Sequence, residues 1–243
     1  MKISSHQETT IDYPGKMGQI LFVSGCNFKC GFCHNPELVE GKINEINLEA
    51  LLKNINSKAK TGWYQGICIS GGEPTIYSDL PGFARRLKDM GLSVKLDTNG
   101  SNPEMLRELL KEETIDYVAM DIKGPREKYH NIVNVNGNLK LENIDKSIRL
   151  VKLFPNYEFR TTILPDFTTE DIEKIGTWAC FGRETDNTRR EAYQKVNLYT
   201  LQQYNPKKTL DPQYGKLSPK PSREIFELKK IMDKYSEFVR VLV

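Results

Sequence analysis

The chain alternates between two patterns of apolar positions. Short runs of consecutive apolar residues predict buried strands, whereas apolar residues three or four positions apart predict amphipathic helices. The predicted strands cover residues 19–23, 66–70, 92–96, 116–120, 157–163 and 196–201. Stretches with helical spacing lie between them, at residues 48–59, 80–90, 105–110, 144–151 and 172–179. This regular alternation predicts an α/β fold built on a parallel sheet.

The residues beyond the last predicted strand form a short C-terminal extension. Ser222 is a favourable cap for the helical pattern that follows it, and residues 238–243 can form an edge strand. No linker, repeat or low-complexity segment divides the chain. We therefore expect one domain over residues 1–243, with a core at about 17–203 and the extension at 219–243.

Composition and charge exclude several classes of partner. The 243 residues carry 35 basic and 32 acidic side chains, a net charge of +3, and 38% are hydrophobic. Without a basic tract or a long apolar run, the sequence predicts neither nucleic-acid binding nor a membrane span. The first seven residues lack the apolar segment of a secretory signal, so we expect a cytoplasmic protein. Charges crowd into residues 182–195, which we interpret as a solvated loop or short helix.

Three of the five cysteines, Cys26, Cys30 and Cys33, fall within eight residues. Their spacing suits one face of a buried helix, but neighbouring glycines and Pro36 predict a loop after the first strand. Intracellular cysteine clusters usually bind metals or catalyse reactions. A zinc site is one interpretation, although zinc takes four ligands and only His34 offers a fourth nearby.

Three thiolates on a short loop also suit a [4Fe-4S] cluster in which one iron has no protein ligand. The spacing C-x3-C-x2-C, with Phe32 before the last cysteine, resembles the signature of radical S-adenosylmethionine enzymes. The resemblance implies a partial (β/α)6 barrel and a catalytic centre in which Cys26, Cys30 and Cys33 hold the cluster. The open iron would bind S-adenosylmethionine, and an electron from the cluster would release a 5′-deoxyadenosyl radical.

Further segments that resemble this superfamily follow the predicted strands, where the active-site residues of barrel folds collect. They are Gly71-Gly72-Glu73-Pro74, Asp97-Thr98-Asn99-Gly100, Asp121-Ile122-Lys123 and Arg160-Thr161-Thr162. By resemblance, the residues expected to bind the cosubstrate are Phe32, Gly71, Gly72, Glu73, Pro74, Asp97, Asn99, Lys123, Arg160 and Gln202. The resemblance also implies a candidate monovalent-cation site at Asp97, Thr98 and Asp121, whose oxygen atoms suit a hard cation.

Two of these residues have alternative roles, and one role is expected for Glu73. Phe32 either packs against the adenine or only shields the cluster. Lys123 either binds the carboxylate of the cosubstrate or is a solvated lysine at the rim. Glu73 can pair with a nearby cation.

The paired D-T-N-G and D-x-K segments resemble those of glycyl-radical-enzyme activating enzymes. Residues 13–15 (Y-P-G) and 201–203 (L-Q-Q) bring the resemblance nearest to anaerobic ribonucleoside-triphosphate reductase activating proteins. It implies that the radical takes a hydrogen atom from a glycine of a partner enzyme, with a flavodoxin- or ferredoxin-type protein as electron donor. Formate-lyase-type activating enzymes carry a histidine after the sixth strand, whereas residues 201–205 contain none, which leaves the partner open.

Two other functions remain open. A compact radical enzyme resembling 7-carboxy-7-deazaguanine synthase would act on a small molecule, and a zinc-stabilised module would catalyse no reaction. The two remaining cysteines, Cys68 and Cys180, are too few for a second cluster, so structural roles are expected for them.

Overall fold

The computed structural model describes residues 1–41, 46–135, 139–183 and 194–243. Residues 184–193, most of the stretch interpreted as a solvated loop or short helix, lie outside the described residues. Eight strands in the described part form one sheet. They are β1 (Ile3–Thr9), β2 (Gly18–Val23), β3 (Gly66–Gly71), β4 (Ser93–Thr98), β5 (Tyr117–Asp121), β6 (Tyr157–Ile163), β7 (Val196–Gln203) and β8 (Ser236–Leu242).

The strands lie across the sheet in the order of the chain. β1 is antiparallel to β2, and all the strands from β2 to β8 are parallel to their neighbours. The two edges, β1 and β8, do not pair with each other in the described residues, so the barrel is open. The predicted α/β fold with a parallel, partial barrel is confirmed.

Helices follow the strands and pack their apolar faces on the sheet. Those in the described residues are α1 (Pro36–Glu40), α2 (Leu48–Lys60), α3 (Leu80–Asp89), α4 (Pro103–Lys111), α5 (Tyr129–Val133), α6 (Leu141–Val151), α7 (Thr169–Phe181) and α8 (Ser222–Met232). None of the described helices has the length and apolar composition that crossing a membrane requires. The core runs along the whole sheet, from Ile3 near one edge to Met232 on the last helix.

Local sequence signals explain where several helices begin. The Asn47 side chain accepts a hydrogen bond from the Ala50 N–H at the start of α2, and Asn102 caps α4 in the same way. Thr168 and Asp171 form a reciprocal capping box at the start of α7. These caps fix the points at which the chain turns away from the strand ends.

The six strands predicted from apolar runs are β2 to β7, and the predicted C-terminal edge strand is β8. β1 is absent from the sequence prediction because its central residues, Ser5 to Glu8, are exposed and polar. It joins the sheet through its pairing with β2. The sheet therefore extends from Ile3 to Leu242, beyond the expected core of about 17–203. That the chain is a single domain stays a prediction.

The parallel register decides which side chains meet at the carboxyl edge. Asp121 at the end of β5 lies beside Arg160 on β6, and Thr162 on β6 lies beside Gln202 on β7. Every strand from β2 to β7 delivers its last residues to this edge, which is where a (β/α) barrel places its active site.

Two helical glycines should respond oppositely to the same substitution. A Cβ at Gly176 in α7 would lie 2.4 Å from the Tyr235 ring, whereas a Cβ at Gly82 in α3 would meet no atom within 4 Å. Gly176→Ala should lower the midpoint of thermal unfolding by several degrees, because a bulky ring must move. Gly82→Ala should raise it by ~1–3 °C, because alanine favours the helix. Differential scanning calorimetry checks both, and a stabilised Gly176→Ala protein would contradict the packing described.

Candidate active site

A cavity of about 210 Å³ opens at the carboxyl edge of the sheet. It brings together every site residue predicted from the sequence except Pro74, which is buried beyond the cavity as the first residue of a short 3-10 helix. The predicted residues that line it are Cys26, Cys30, Cys33, Phe32, Gly71, Gly72, Glu73, Asp97, Thr98, Asn99, Asp121, Lys123, Arg160 and Gln202. Its other lining residues include Phe28, Val39 and Ser70, which sequence reasoning missed because no motif marks them.

The three cysteines lie on the loop between β2 and α1, so the alternative of a buried helix is wrong. The loop is fixed by backbone hydrogen bonds. The Lys29 N–H donates to the Val133 carbonyl oxygen at 2.9 Å, and the Cys33 N–H donates to the Cys30 carbonyl oxygen at 3.0 Å. These hydrogen bonds hold the loop in place. All three cysteine side chains border the same cavity.

Burial opposes ionisation of the thiols that line the cavity. It raises the pKa of Cys26 to about 12, with Glu73 adding to the effect, and that of Cys30 to about 11, with Lys123 opposing the rise. Metals bind thiolates rather than thiols, so a metal must compete with the protons for these sulfur atoms.

The donor set fits an iron-sulfur cluster better than a single zinc ion. Among the described residues, no three Cys, His, Asp or Glu side chains are arranged around one metal position. A tetrahedral zinc with Zn–S bonds of about 2.3 Å would need its sulfur ligands within roughly 4 Å of each other. In a [4Fe-4S] cluster each thiolate binds a different iron atom, so three cysteines spaced along a cavity wall can serve as its ligands.

The glycine pair at the end of β3 lets two backbones touch. A Cβ at Gly72 would lie 1.9 Å from the Gly25 carbonyl oxygen, and Gly71 has a φ of +113°. The Gly72 N–H donates to the Val23 carbonyl oxygen and the Glu73 N–H to that of Gly25, each at 2.9 Å. The pair therefore fixes the start of the cysteine loop against β3, in addition to the predicted role in binding the cosubstrate.

Glu73 is buried and ties the end of β3 to the end of β4. Its carboxylate accepts hydrogen bonds from the Asn99 N–H at 2.6 Å, the Thr98 hydroxyl at 2.7 Å, the Thr75 hydroxyl at 2.5 Å and the Thr75 N–H at 3.0 Å. Burial raises the pKa of Glu73, and these hydrogen bonds oppose the rise. The salt bridges found in the described residues do not include Glu73, so the expected cation partner is not a side chain of this part of the chain.

A row of five alternating charges, here called the charge ladder, crosses the floor of the site from Lys95 through Asp97, Arg160 and Asp121 to Lys123. The Lys95 ammonium pairs with Asp97. Arg160 Nη1 lies 3.2 Å from the second Asp97 oxygen, and Arg160 Nε lies 2.8 Å from Asp121 Oδ1. Lys123 Nζ lies 2.8 Å from Asp121 Oδ2. The two carboxylates are thus held between three cations.

The ladder keeps its buried carboxylates ionised. Burial opposes the charge on Asp121, but Arg160 and Lys123 hold its pKa well below the usual range. For Asp97, Arg160 and Lys95 outweigh burial in the same way and lower its pKa. Lys123 is therefore part of an ion pair, rather than a solvated rim lysine.

The expected monovalent-cation site does not fit the side chains of Asp97, Thr98 and Asp121. Each carboxylate oxygen of the two aspartates already faces Lys95, Arg160 or Lys123. The Thr98 hydroxyl donates to Glu73 and accepts from the Gly100 N–H at 3.1 Å. A bound metal cation would have to displace the cations of the protein itself.

Residues from the C-terminal part of the chain cover the cysteine loop. The Asp211 N–H donates to the Gly31 carbonyl oxygen at 2.9 Å, and the Tyr214 ring lies 6.2 Å from that of Phe32. Residues 204–217, which we call the strap, shield the loop from solvent. Phe32 is buried beneath it, which fits the shielding role, while its packing against adenine stays a prediction.

A small amide network borders Cys26. Asn99 Nδ2 donates to Asn27 Oδ1 at 2.9 Å and lies 4.0 Å from Cys26 Sγ, and Asn27 Nδ2 donates to the Ser101 hydroxyl at 2.7 Å. Sequence reasoning singled out Asn99 but missed Asn27, whose position between the cysteines carries no residue signature. The network gives Asn99 a role beside the cysteine loop as well as the predicted one.

The remaining two cysteines lie outside the cavity. Cys68 is buried in β3, with its sulfur 3.8 Å from Lys95 Nζ, and the Cys180 thiol donates to the Tyr235 carbonyl oxygen at 3.2 Å. Both positions are consistent with the structural roles expected for them.

Comparisons with known proteins agree with the site. The radical SAM superfamily model matches residues 20–179. A protein of Methanocaldococcus jannaschii provisionally named a glycyl-radical enzyme activating enzyme is 36% identical over 236 residues, which cover 95% of this chain and 91% of that protein. The pyruvate formate-lyase-activating enzyme of Clostridium pasteurianum is 27% identical over 204 residues, covering 80% of this chain and 82% of that enzyme.

Solved structures show the same fold. The crystal structure of Streptococcus suis SuiB bound to S-adenosylmethionine matches with a TM-score of 0.62 and 14% identity. The match covers 91% of this chain but 51% of that one, so the chain spans about half the length of that structure. Taken with the cysteine loop and the strand-end residues around one cavity, these matches show that the chain is an enzyme of the radical S-adenosylmethionine superfamily.

Proposed function

We propose that this enzyme generates a glycyl radical on a partner protein, using S-adenosylmethionine and a [4Fe-4S] cluster held by Cys26, Cys30 and Cys33. The observation that carries the proposal is the convergence of the cysteine loop with the ends of β3, β4 and β5 on one cavity. Similarity along nearly the whole chain to the Methanocaldococcus jannaschii protein supports a protein substrate. The L-Q-Q and Y-P-G segments support anaerobic ribonucleotide reductase as the partner, and a flavodoxin- or ferredoxin-type protein is the proposed electron donor.

The chemistry supplied by the cluster and S-adenosylmethionine, when bound, is a 5′-deoxyadenosyl radical that takes a hydrogen atom from glycine. The residues of the chain bind and orient the cosubstrate. In the charge ladder three cations face two carboxylates, which leaves one positive charge for the cosubstrate carboxylate. Lys123 and Arg160 line the cavity and are the ladder cations able to meet it.

Glu73 acts in this proposal by positioning rather than by pairing with a cation of the protein. Its hydrogen bonds hold the Asn99 backbone and the Thr98 hydroxyl, and so fix the turn after β4 beside the cysteine loop. A turn fixed in this way would help to hold a bound cosubstrate in one orientation, which is the kind of placement that radical transfer needs.

A second, more open cleft of about 640 Å³ adjoins the site and shares three lining residues with it, His34, Thr162 and Gln202. Tyr204 and Pro219 lie farther out along it. Apart from Lys207, the side chains of the lining offer neutral hydrogen-bonding groups and apolar surface, which suits an extended loop of peptide better than a highly charged metabolite. We propose this cleft as the entrance for the glycine-bearing loop of the partner.

The direct test is an anaerobic assay with candidate partner proteins. The reconstituted enzyme, S-adenosylmethionine, a strong reductant and anaerobic ribonucleotide reductase should give an electron paramagnetic resonance doublet from a glycyl radical. A partner with its radical glycine changed to alanine is the control and should give no doublet. Silent spectra with every candidate partner, together with formation of 7-carboxy-7-deazaguanine by the enzyme, would instead favour the synthase-like alternative.

Replacing one cavity cysteine should separate the cluster from the fold. Cys30→Ser should lower iron and sulfide content and abolish formation of 5′-deoxyadenosine, because one of three iron ligands is lost. Cys180→Ser is the matched control, since Cys180 is buried outside the cavity, and it should retain both. Retention of 5′-deoxyadenosine formation by Cys30→Ser would overturn the assignment of the cysteine loop.

Neutralising one carboxylate of the charge ladder should weaken cosubstrate binding and leave the cluster intact. Asp121→Asn adds positive charge to the ladder but removes the carboxylate that positions Lys123 and Arg160. Because lost positioning should outweigh the added charge, we expect at least a tenfold rise in the Kd for S-adenosylmethionine with unchanged iron content. Asp116→Asn is the control, because Asp116 lies just before β5, at the end of the strand away from the cavity. Calorimetric titration measures the Kd of each reconstituted variant, and iron analysis measures its metal content. Loss of iron in Asp121→Asn would contradict the role given to this strand end.

A further inference from the structure

The inner end of the charge ladder is a lysine with almost no contact with solvent. Lys95 lies in the middle of β4 and is 2% exposed. Lysines are hardly ever buried to this extent unless they are paired. Here the ammonium pairs with Asp97, lies 3.8 Å from Cys68 Sγ and lies 5.7 Å from the centre of the Tyr117 ring.

The ammonium is bound to Asp97, one of the three residues at which the resemblance implied a metal cation. Lys95 occupies one oxygen of Asp97, Arg160 and the Ser70 hydroxyl occupy the other, and Arg160 continues to Asp121. A sodium or potassium ion added here would face the positive charges of Lys95 and Arg160 at short range, in surroundings of low dielectric constant.

We propose that the Lys95 ammonium takes the place of an exchangeable monovalent cation, as a positioning group fixed to the sheet. It holds Asp97 in place and, through Arg160, keeps the ends of β4, β5 and β6 in the arrangement that receives the cosubstrate. Lys95 itself does not line the cavity, so it acts through Asp97 rather than by touching the reactants. The effect on the cosubstrate rests on the proposed function, whereas the replacement of the cation does not.

The charge balance makes the proposal specific. With Lys95, Arg160 and Lys123 against Asp97 and Asp121, the ladder has one surplus positive charge. Changing Lys95 to methionine removes that surplus and leaves one oxygen of Asp97 without its partner in a buried space. A small metal cation from solution can then enter the space left by the ammonium and bind the Asp97 carboxylate.

The test compares salts on the reconstituted full-length enzyme without partner or turnover. Thermal unfolding is followed in potassium chloride and in tetramethylammonium chloride at the same ionic strength, because tetramethylammonium is too large for the vacancy. The wild type should unfold within ~1 °C in the two salts. Lys95→Met should unfold roughly 10 °C lower in tetramethylammonium and regain at least half of the loss in potassium or sodium. The double variant Lys95→Met/Asp97→Asn should lose this dependence on salt.

Two results would overturn the proposal. One is a wild-type protein stabilised by potassium or sodium, because the site would then hold an exchangeable cation despite Lys95. The other is a Lys95→Met protein that unfolds at the same temperature in both salts. If Lys95→Met does not fold, sodium-23 line broadening on the wild type decides, since the proposal requires no broadening beyond that given by bulk surface charge. Failure to activate any partner would leave all of these results unchanged, so the two proposals fail separately.

Discussion

The arrangement of the site depends on one constraint, which is that consecutive parallel strands bring their carboxyl ends to the same edge of the sheet. Residues far apart in the chain, such as Cys26 and Arg160, thereby border one cavity. The register then pairs particular neighbours, as when Asp121 lies beside Arg160 on the adjacent strand. Because the central strands are buried on both faces, a shift of register would exchange the side chains packed on the two faces and disrupt the core, so the positions at the edge are held firmly.

Two kinds of contact turn this edge into a site. Backbone contacts between the Gly71-Gly72 turn and Gly25 hold the cysteine loop against the sheet, and they require residues without side chains. Ion pairs between β4, β5 and β6 then set the charge beneath the cavity. The glycine contacts allow two backbones to approach closely, whereas the ion pairs set the local charge. Both depend on a fixed register of the strands.

Much of this architecture could be predicted from the sequence because the relevant signals are local. Apolar runs predicted β2 to β7, and short motifs at their ends predicted site residues that, apart from Pro74, all line the cavity. The missing elements have no local signal. β1 is polar and is held by pairing with β2, and the contact of Tyr214 with the cysteine loop joins distant parts of the chain. The ion pairs around the predicted cation site have no local signal either, since Lys95 looks like one polar residue in an apolar strand until its partner Asp97 is seen.

The strap over the cysteine loop has a consequence for biosynthesis. Residues 26–33 leave the ribosome before the strap that shields them, residues 204–217, is made. The N-terminal part of the sheet can form before the strap is synthesised, whereas the cover over Phe32 cannot. The loop that carries the three thiols therefore lacks its cover over Phe32 until the strap has been made and has folded over it.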